Sequence, residues 1–234
     1  MPFVVYLAVV LLHLVLLGLG SPAASTTKAL LMPALALAVA LVLVLQTRRR
    51  AFGSGAVSPL AEDRRRGRRR RARLLVTLLG VGILASWLGD ILLGASFVLG
   101  LLGFAVAHLA YVLAFNGPGA ARRLPLWTLG YIAIFGAALA LLWHDLGELR
   151  PLVIGYGVVL VATAMTSARV NAVAALGGGL FLASDLLLAF RLFSRGFTSA
   201  FPDPWQDLAI MLLYCVGQGL IALGLLRRLV GRGV

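Results

Sequence analysis

The sequence predicts an all-α, polytopic membrane protein, a bundle of eight transmembrane helices. Three observations carry that expectation. Of 234 residues, 61% are hydrophobic and only 12% charged, with a mean hydropathy of +1.01. The apolar residues gather in runs near the roughly 20 residues that a helix needs to cross a bilayer. Lipid offers no partners to backbone N–H and C=O groups, so each run must satisfy its own as a helix. A soluble enzyme does not have this composition. The net charge of +13 would suggest nucleic acid in a soluble chain, but here it is concentrated in one stretch, Arg64–Arg73, and no nucleic-acid partner is expected.

Eight apolar segments follow one another: Pro2–Leu19, Ala29–Gln46, Leu74–Leu93, Phe97–Phe115, Leu126–Trp143, Leu152–Met165, Ala172–Phe190 and Leu208–Leu226. Turn-forming residues mark breaks at Gly20–Pro22, Gly94–Ser96, Asn116–Gly119, His144–Pro151 and Ser194–Pro204. The sixth segment is short and could extend to Ser167. The first lacks the positive n-region of a secretory signal peptide, so it is expected to be retained as a helix. Basic residues then orient the bundle by the positive-inside rule. With the N-terminus inside, the inner loops and C-terminal tail hold 17 of the 21 basic residues. The outer side holds four, Lys28, Arg150, Arg191 and Arg195. A missing or extra helix would spoil that bias. The expectation is a single domain over 1–234, both termini cytoplasmic, with a basic cytoplasmic loop at 47–73. The Arg64–Arg73 stretch reads as a topology signal or as an attraction for anionic lipid, worth about 1 kcal/mol per basic residue.

Within this apolar frame, two acids stand out. Asp90 and Asp185 lie inside the third and seventh segments, in similar Leu-rich surroundings. A carboxylate in lipid costs roughly 2.5–3.5 kcal/mol on insertion scales and marks a functional site by default. Both segments run from inside to outside, and each aspartate falls within about two turns of the outer end. The two therefore share a depth. They are offset by four helices, which is compatible with a 4+4 parallel repeat about an axis along the membrane normal; chance likeness between Leu-rich helices is the plainer explanation. Lys28, the sole lysine among the basic residues, opens the second segment at nearly the same level. It is either a partner of these acids or an interfacial anchor whose stem snorkels along the lipid.

Other polar residues are supporting candidates. Gly82, Ser86 and Asp90, four apart, form one stripe, which allows close helix approach or leaves room for a ligand. Ser184 adjoins Asp185 but points about 100° away around the helix. His108 and Tyr111 share one face, as do Tyr214 and Gln218; such groups either bond across helices or line a cavity. His13 and His144 read as core and loop residues, and Asp145, Glu148, Asp203 and Asp207 as solvated loop acids. Cys215, in an apolar run, reads as a packing residue. The three histidines lie on separate elements with no HExxH or paired-cysteine spacing, so no metal is expected. No glycine-rich phosphate loop or G-x-S-x-G elbow occurs, and no cofactor is expected.

Five stretches, in order, resemble the YhhN family: Thr27–Pro33, Ser86–Asp90, His108–Phe115, Phe181–Asp185 and Tyr214–Ile221. The Arg-rich run at 64–73 and the alanine after Lys28 depart from that family's pattern. The resemblance implies an integral membrane hydrolase of the lysoplasmalogenase kind, which cleaves the vinyl ether bond of a lysophospholipid entering from the bilayer. The chemistry suits the acids. A 1-alkenyl ether hydrolyses by protonation of its β-carbon, giving an oxocarbenium ion that water captures. That step calls for a protonated acid and a nearby negative charge, a demand that glycosidases meet with two carboxyl groups. Asp90 and Asp185 are the expected pair, with the acid of the two left open. Lys28 would hold the substrate phosphate or keep one carboxylate ionised, with Ser86, His108, Tyr111, Ser184, Tyr214 and Gln218 in support. The alternative function is a small-solute or ion transporter using the same buried charges, and a third is a lipid-binding scaffold. The expected location is a bacterial inner membrane.

Overall fold

Each apolar segment forms a helix in the computed structural model, which describes residues 2–51, 59–117, 123–200 and 205–230. The helices are α1 (Val4–Gly18), α2 (Ala23–Ala51), α3 (Pro59–Leu93), α4 (Phe97–Asn116), α5 (Gly130–Leu142), α6 (Arg150–Ser167), α7 (Ala172–Phe193), the short α8 (Arg195–Ala200) and α9 (Trp205–Val230). Single 3₁₀ turns, Leu126–Leu129 and Gly147–Leu149, lead into α5 and α6. Among the described residues there is no strand. Among the described residues, six helices are long and apolar enough to cross a membrane, which makes this a multi-pass membrane protein. Of the eight expected spans, α1 and Leu126–Leu142 are apolar but shorter than these six.

The basic segment also differs from the expected loop at 47–73. α2 continues to Ala51, and α3 begins at Pro59. Arginine is a good helix former. A helix therefore continues past the apolar run that announces it, and Arg66–Arg71 project from α3 as an exposed extension.

Leu11, Leu113 and Leu141 face outward, as lipid-facing residues do, while Leu31, Leu35, Ala107, Ala164 and Ala222 are fully enclosed. Apolar side chains gain little by leaving lipid for one another, so close contact must hold the helices together. The most extensive contacts are α3 on α4 and α7 on α9. Both pairs meet backbone to backbone at glycine. A Cβ on Gly103 would lie 2.8 Å from the Gly89 Cα, and one on Gly177 would lie 2.8 Å from the Gly217 carbonyl oxygen. These are the two helix pairs that a 4+4 repeat would relate.

Two local devices align α2 and α7. Pro33 lies inside α2 and has no N–H, which leaves the carbonyl four residues earlier without its helical donor. That carbonyl is Ala29, and the Trp87 indole of α3 donates to it at 2.9 Å. Asn171 caps α7, accepting from Ala174 N at 2.9 Å while its amide donates to the Gly224 carbonyl of α9. α1 runs antiparallel to α9, with Gly18 beside Leu208 and Tyr6 beside Gly219. The start of α1 and the end of α9 thus lie at the same end of the bundle. Arg228 is at that end too, donating to the Ala114, Phe115 and Gly117 carbonyls that close α4.

Candidate active site

At the opposite end, six helices bring polar side chains to one level. The Lys28 Nζ of α2 lies 3.7 Å from Asp90 Oδ1 of α3. The Tyr214 hydroxyl of α9 donates to Asp90 Oδ2 at 2.7 Å. On the other side, Asp185 Oδ2 of α7 accepts from the Tyr156 hydroxyl of α6. His108 Nε2 of α4 lies 3.7 Å from that same carboxylate oxygen and 3.2 Å from the Tyr156 hydroxyl. Both aspartates, both tyrosines and Lys28 border one cavity of about 360 Å³, within the size range of small-ligand sites. Its remaining wall is largely apolar, with Phe97, Leu101, Phe104, Phe135 and Leu160 prominent. The side chains of Asp90 and Asp185 are only 5% and 12% exposed, whereas Lys28 is 33% exposed and reaches in from the rim.

The hydrogen bonds around Asp185 form a directed chain. Tyr156 spends its hydroxyl proton on Asp185, so its oxygen is left to accept from His108 Nε2–H. A neutral imidazole then presents Nδ1 as acceptor, and Thr163 Oγ1 lies 3.2 Å from it. The His108 ring is fixed further by edge contacts with Tyr156 and Phe181. The side-chain polar atoms of Thr163, His108 and Tyr156 each have a partner, as a water-poor interior requires.

Behind Asp90 lies a second network that does not reach the cavity. The Tyr111 hydroxyl donates to Gln218 Oε1 at 2.7 Å, and Gln218 Nε2 donates to Ser86 Oγ at 2.8 Å. Gly82, one turn before Ser86, makes room for the Tyr111 ring. The Gly82–Ser86–Asp90 stripe therefore receives side chains from α4 and α9. Ser184 borders the cavity, but its hydroxyl donates to the Ile210 carbonyl at 2.9 Å. His13 is buried against Thr27, and Cys215 is buried. Among the described residues, no group of three or more His, Cys, Asp or Glu could hold a metal ion.

The sequence reading missed three contributors. Tyr156, between Gly155 and Gly157, and Thr163, seven residues on along the same face, carry the only signal available, two hydroxyls on one side of an apolar helix. Asp207 does not behave as a solvated loop acid. It lies in the first turn of α9, ion-paired with Arg191, and both border the cavity. Asp203 lies outside the described residues.

Comparison with known proteins gives the family. The YhhN family matches residues 23–225. The chain belongs to it. This YhhN-family chain is also 35% identical over 153 residues to the human (Homo sapiens) lysoplasmalogenase TMEM86B, an alignment that covers 64% of each protein. The match thus spans a little under two thirds of that relative's length. No solved structure matches. The region matched to the YhhN family contains Lys28, Asp90, His108, Tyr156, Asp185 and Tyr214.

Proposed function

We propose that this YhhN-family protein hydrolyses the vinyl ether bond of lysoplasmalogens, releasing a fatty aldehyde and a glycerophospho-alcohol. The observation that supports it most is a pair of carboxyl groups, each held by a tyrosine, on the wall of one oily cavity. Family membership and the activity named for the human relative point the same way. The single alkenyl chain enters laterally from the membrane and lies against the apolar wall.

Asp185 donates the proton from Oδ1, with Oδ2 held by Tyr156. The alkene electron pair forms the new C–H bond at the β-carbon, and an ether-oxygen lone pair completes the oxocarbenium. Asp90, with Lys28 as its counter-charge, faces that cation as a carboxylate. Charges fixed before the reaction are most effective in such a dry site. Water adds to the cationic carbon and gives a proton to Asp90. The hemiacetal then collapses: its hydroxyl gives its proton to Asp185 and its glyceryl oxygen takes one from Asp90, so both carboxyl groups return to their starting states and one water is consumed overall. Tyr111, Gln218 and Ser86 hold the helices behind Asp90, and Ser184 braces α7 against α9. By the positive-inside rule the arginine-rich end is cytoplasmic, in a bacterial inner membrane, and the cavity lies in the outer half.

The test is purified protein in detergent, given lysoplasmalogen and, separately, its acyl counterpart. Fatty aldehyde is expected from the first alone. A transporter needs two compartments and would release no aldehyde, so intact lysoplasmalogen after prolonged incubation would overturn this reading.

A further inference from the structure

A second cavity adjoins the first. Arg191, in the last turn of α7, and Asp207, in the first turn of α9, form an ion pair on the wall of the apolar cavity. Arg191, Leu192 and Phe193 also border a more open cavity of about 490 Å³, together with Ser194, Thr198 and Asp145. The two cavities therefore share the Arg191–Phe193 wall and differ in character. The first is walled mainly by carbon. The second carries a guanidinium, a carboxylate and two hydroxyls. Its Asp145 is exposed, at the turn between α5 and the 3₁₀ turn before α6. Lys28, by contrast, borders only the first cavity and is engaged with Asp90.

An amphiphile with one chain and a charged head fits across such a pair. A guanidinium presents a planar fork that matches two phosphate oxygens. An exposed carboxylate on the same cavity suits an ammonium. We propose that the second cavity is a headgroup subsite, in which Arg191 takes the phosphodiester and Asp145 the ammonium of a zwitterionic lysophospholipid. Asp207 is the positioning residue, holding Arg191 at the junction while the chain lies in the first cavity. This rests on the reading of the protein as a lysophospholipid hydrolase, and it reassigns phosphate recognition from Lys28 to Arg191.

The test measures binding without turnover. Non-hydrolysable 1-O-alkyl lysophosphocholine, 1-O-alkyl-glycerol-3-phosphate and 1-O-alkylglycerol of the same chain length are titrated against the full-length protein in detergent. The wild type is expected to prefer the phosphocholine lipid over the alkylglycerol by about tenfold or more, the scale of one charge-assisted contact. Arg191→Gln should bring that ratio below about threefold. Asp145→Asn should weaken phosphocholine binding relative to the glycerol phosphate. A preference that survives Arg191→Gln, or an equal loss for all three ligands, would overturn the phosphate assignment. Should Arg191→Gln fail to fold, Asp145→Asn decides, and an unchanged ratio between the two phosphate lipids overturns the subsite. A protein that releases no aldehyde yet keeps an Arg191-dependent preference would refute the hydrolase reading alone. An active protein without that preference would refute the subsite alone.

Discussion

Replacing Tyr156 with phenylalanine removes one oxygen and keeps the ring, whose centroid lies 5.6 Å from that of His108. The lost oxygen is the donor to Asp185 Oδ2 and the partner of His108 Nε2. As Asp185 gives up its proton, a hydrogen bond to the carboxylate that forms contributes about 1.5–3 kcal/mol, and each 1.36 kcal/mol of barrier is a factor of ten in rate, so turnover should fall about 10- to 150-fold. The chain from Thr163 through His108 also loses its outlet, leaving a buried imidazole N–H without its acceptor. Stability should therefore drop as well, by about 1–3 kcal/mol. The assay is aldehyde release from lysoplasmalogen in detergent, with thermal unfolding followed on the same preparation. A folded Tyr156→Phe protein that turns over within about twofold of wild type, against the decade expected from one such bond, would refute a role for this hydroxyl at Asp185.

Three further outcomes follow from the geometry. Lys28→Met removes the counter-charge of Asp90 and should lower kcat with little change in KM; a raised KM with kcat intact would mean that Lys28 binds substrate phosphate instead. Trp87→Phe leaves the Ala29 carbonyl without a donor, costing about 1–3 kcal/mol. Because Ala29 follows Lys28 directly, its activity loss should not add to that of Lys28→Met in the double variant, and full additivity would separate the two. Gly177→Ala places a methyl 2.7 Å from Ile221 N and 2.8 Å from the Gly217 carbonyl oxygen, an overpacking worth about 1–3 kcal/mol of stability. Gly80→Ala, with nothing within 4 Å of its Cβ, should be neutral or stabilising by up to about 1 kcal/mol, and equal falls in unfolding temperature for both would contradict the glycine-mediated contact of α7 with α9.

The helices were legible in the sequence because runs of Leu, Val and Ala have one stable form in lipid. Their charged ends were not. Hydropathy falls away at Arg48 and rises again at Leu74, but helix propensity does not follow hydropathy, and α3 begins at Pro59. Asp90 and Asp185 were conspicuous because an acid in such surroundings needs a reason, and Lys28 because it stands alone among arginines. Tyr156 carried no comparable mark. A tyrosine in an apolar helix is ordinary at a membrane interface, and its bond to Asp185 depends on how α6 meets α7. The same holds for Ser86, which lies on the stripe that leads to Asp90 but whose partner, Gln218, is 132 positions away. Asp207 looked like a loop acid because Pro204 precedes it, yet its helix starts at Trp205 and turns it onto Arg191. Patterns along one helix were readable. Pairings between helices needed the fold.

The most direct measurement is aldehyde release by Asp90→Asn and Asp185→Asn side by side with the wild type, each first shown to be folded. Asparagine keeps the shape of the side chain and removes its charge and its acid. Each variant should retain less than about 1% of turnover, the loss expected when a general acid or base is removed. Folded variants that both release aldehyde at the wild-type rate would contradict carboxyl catalysis in this cavity.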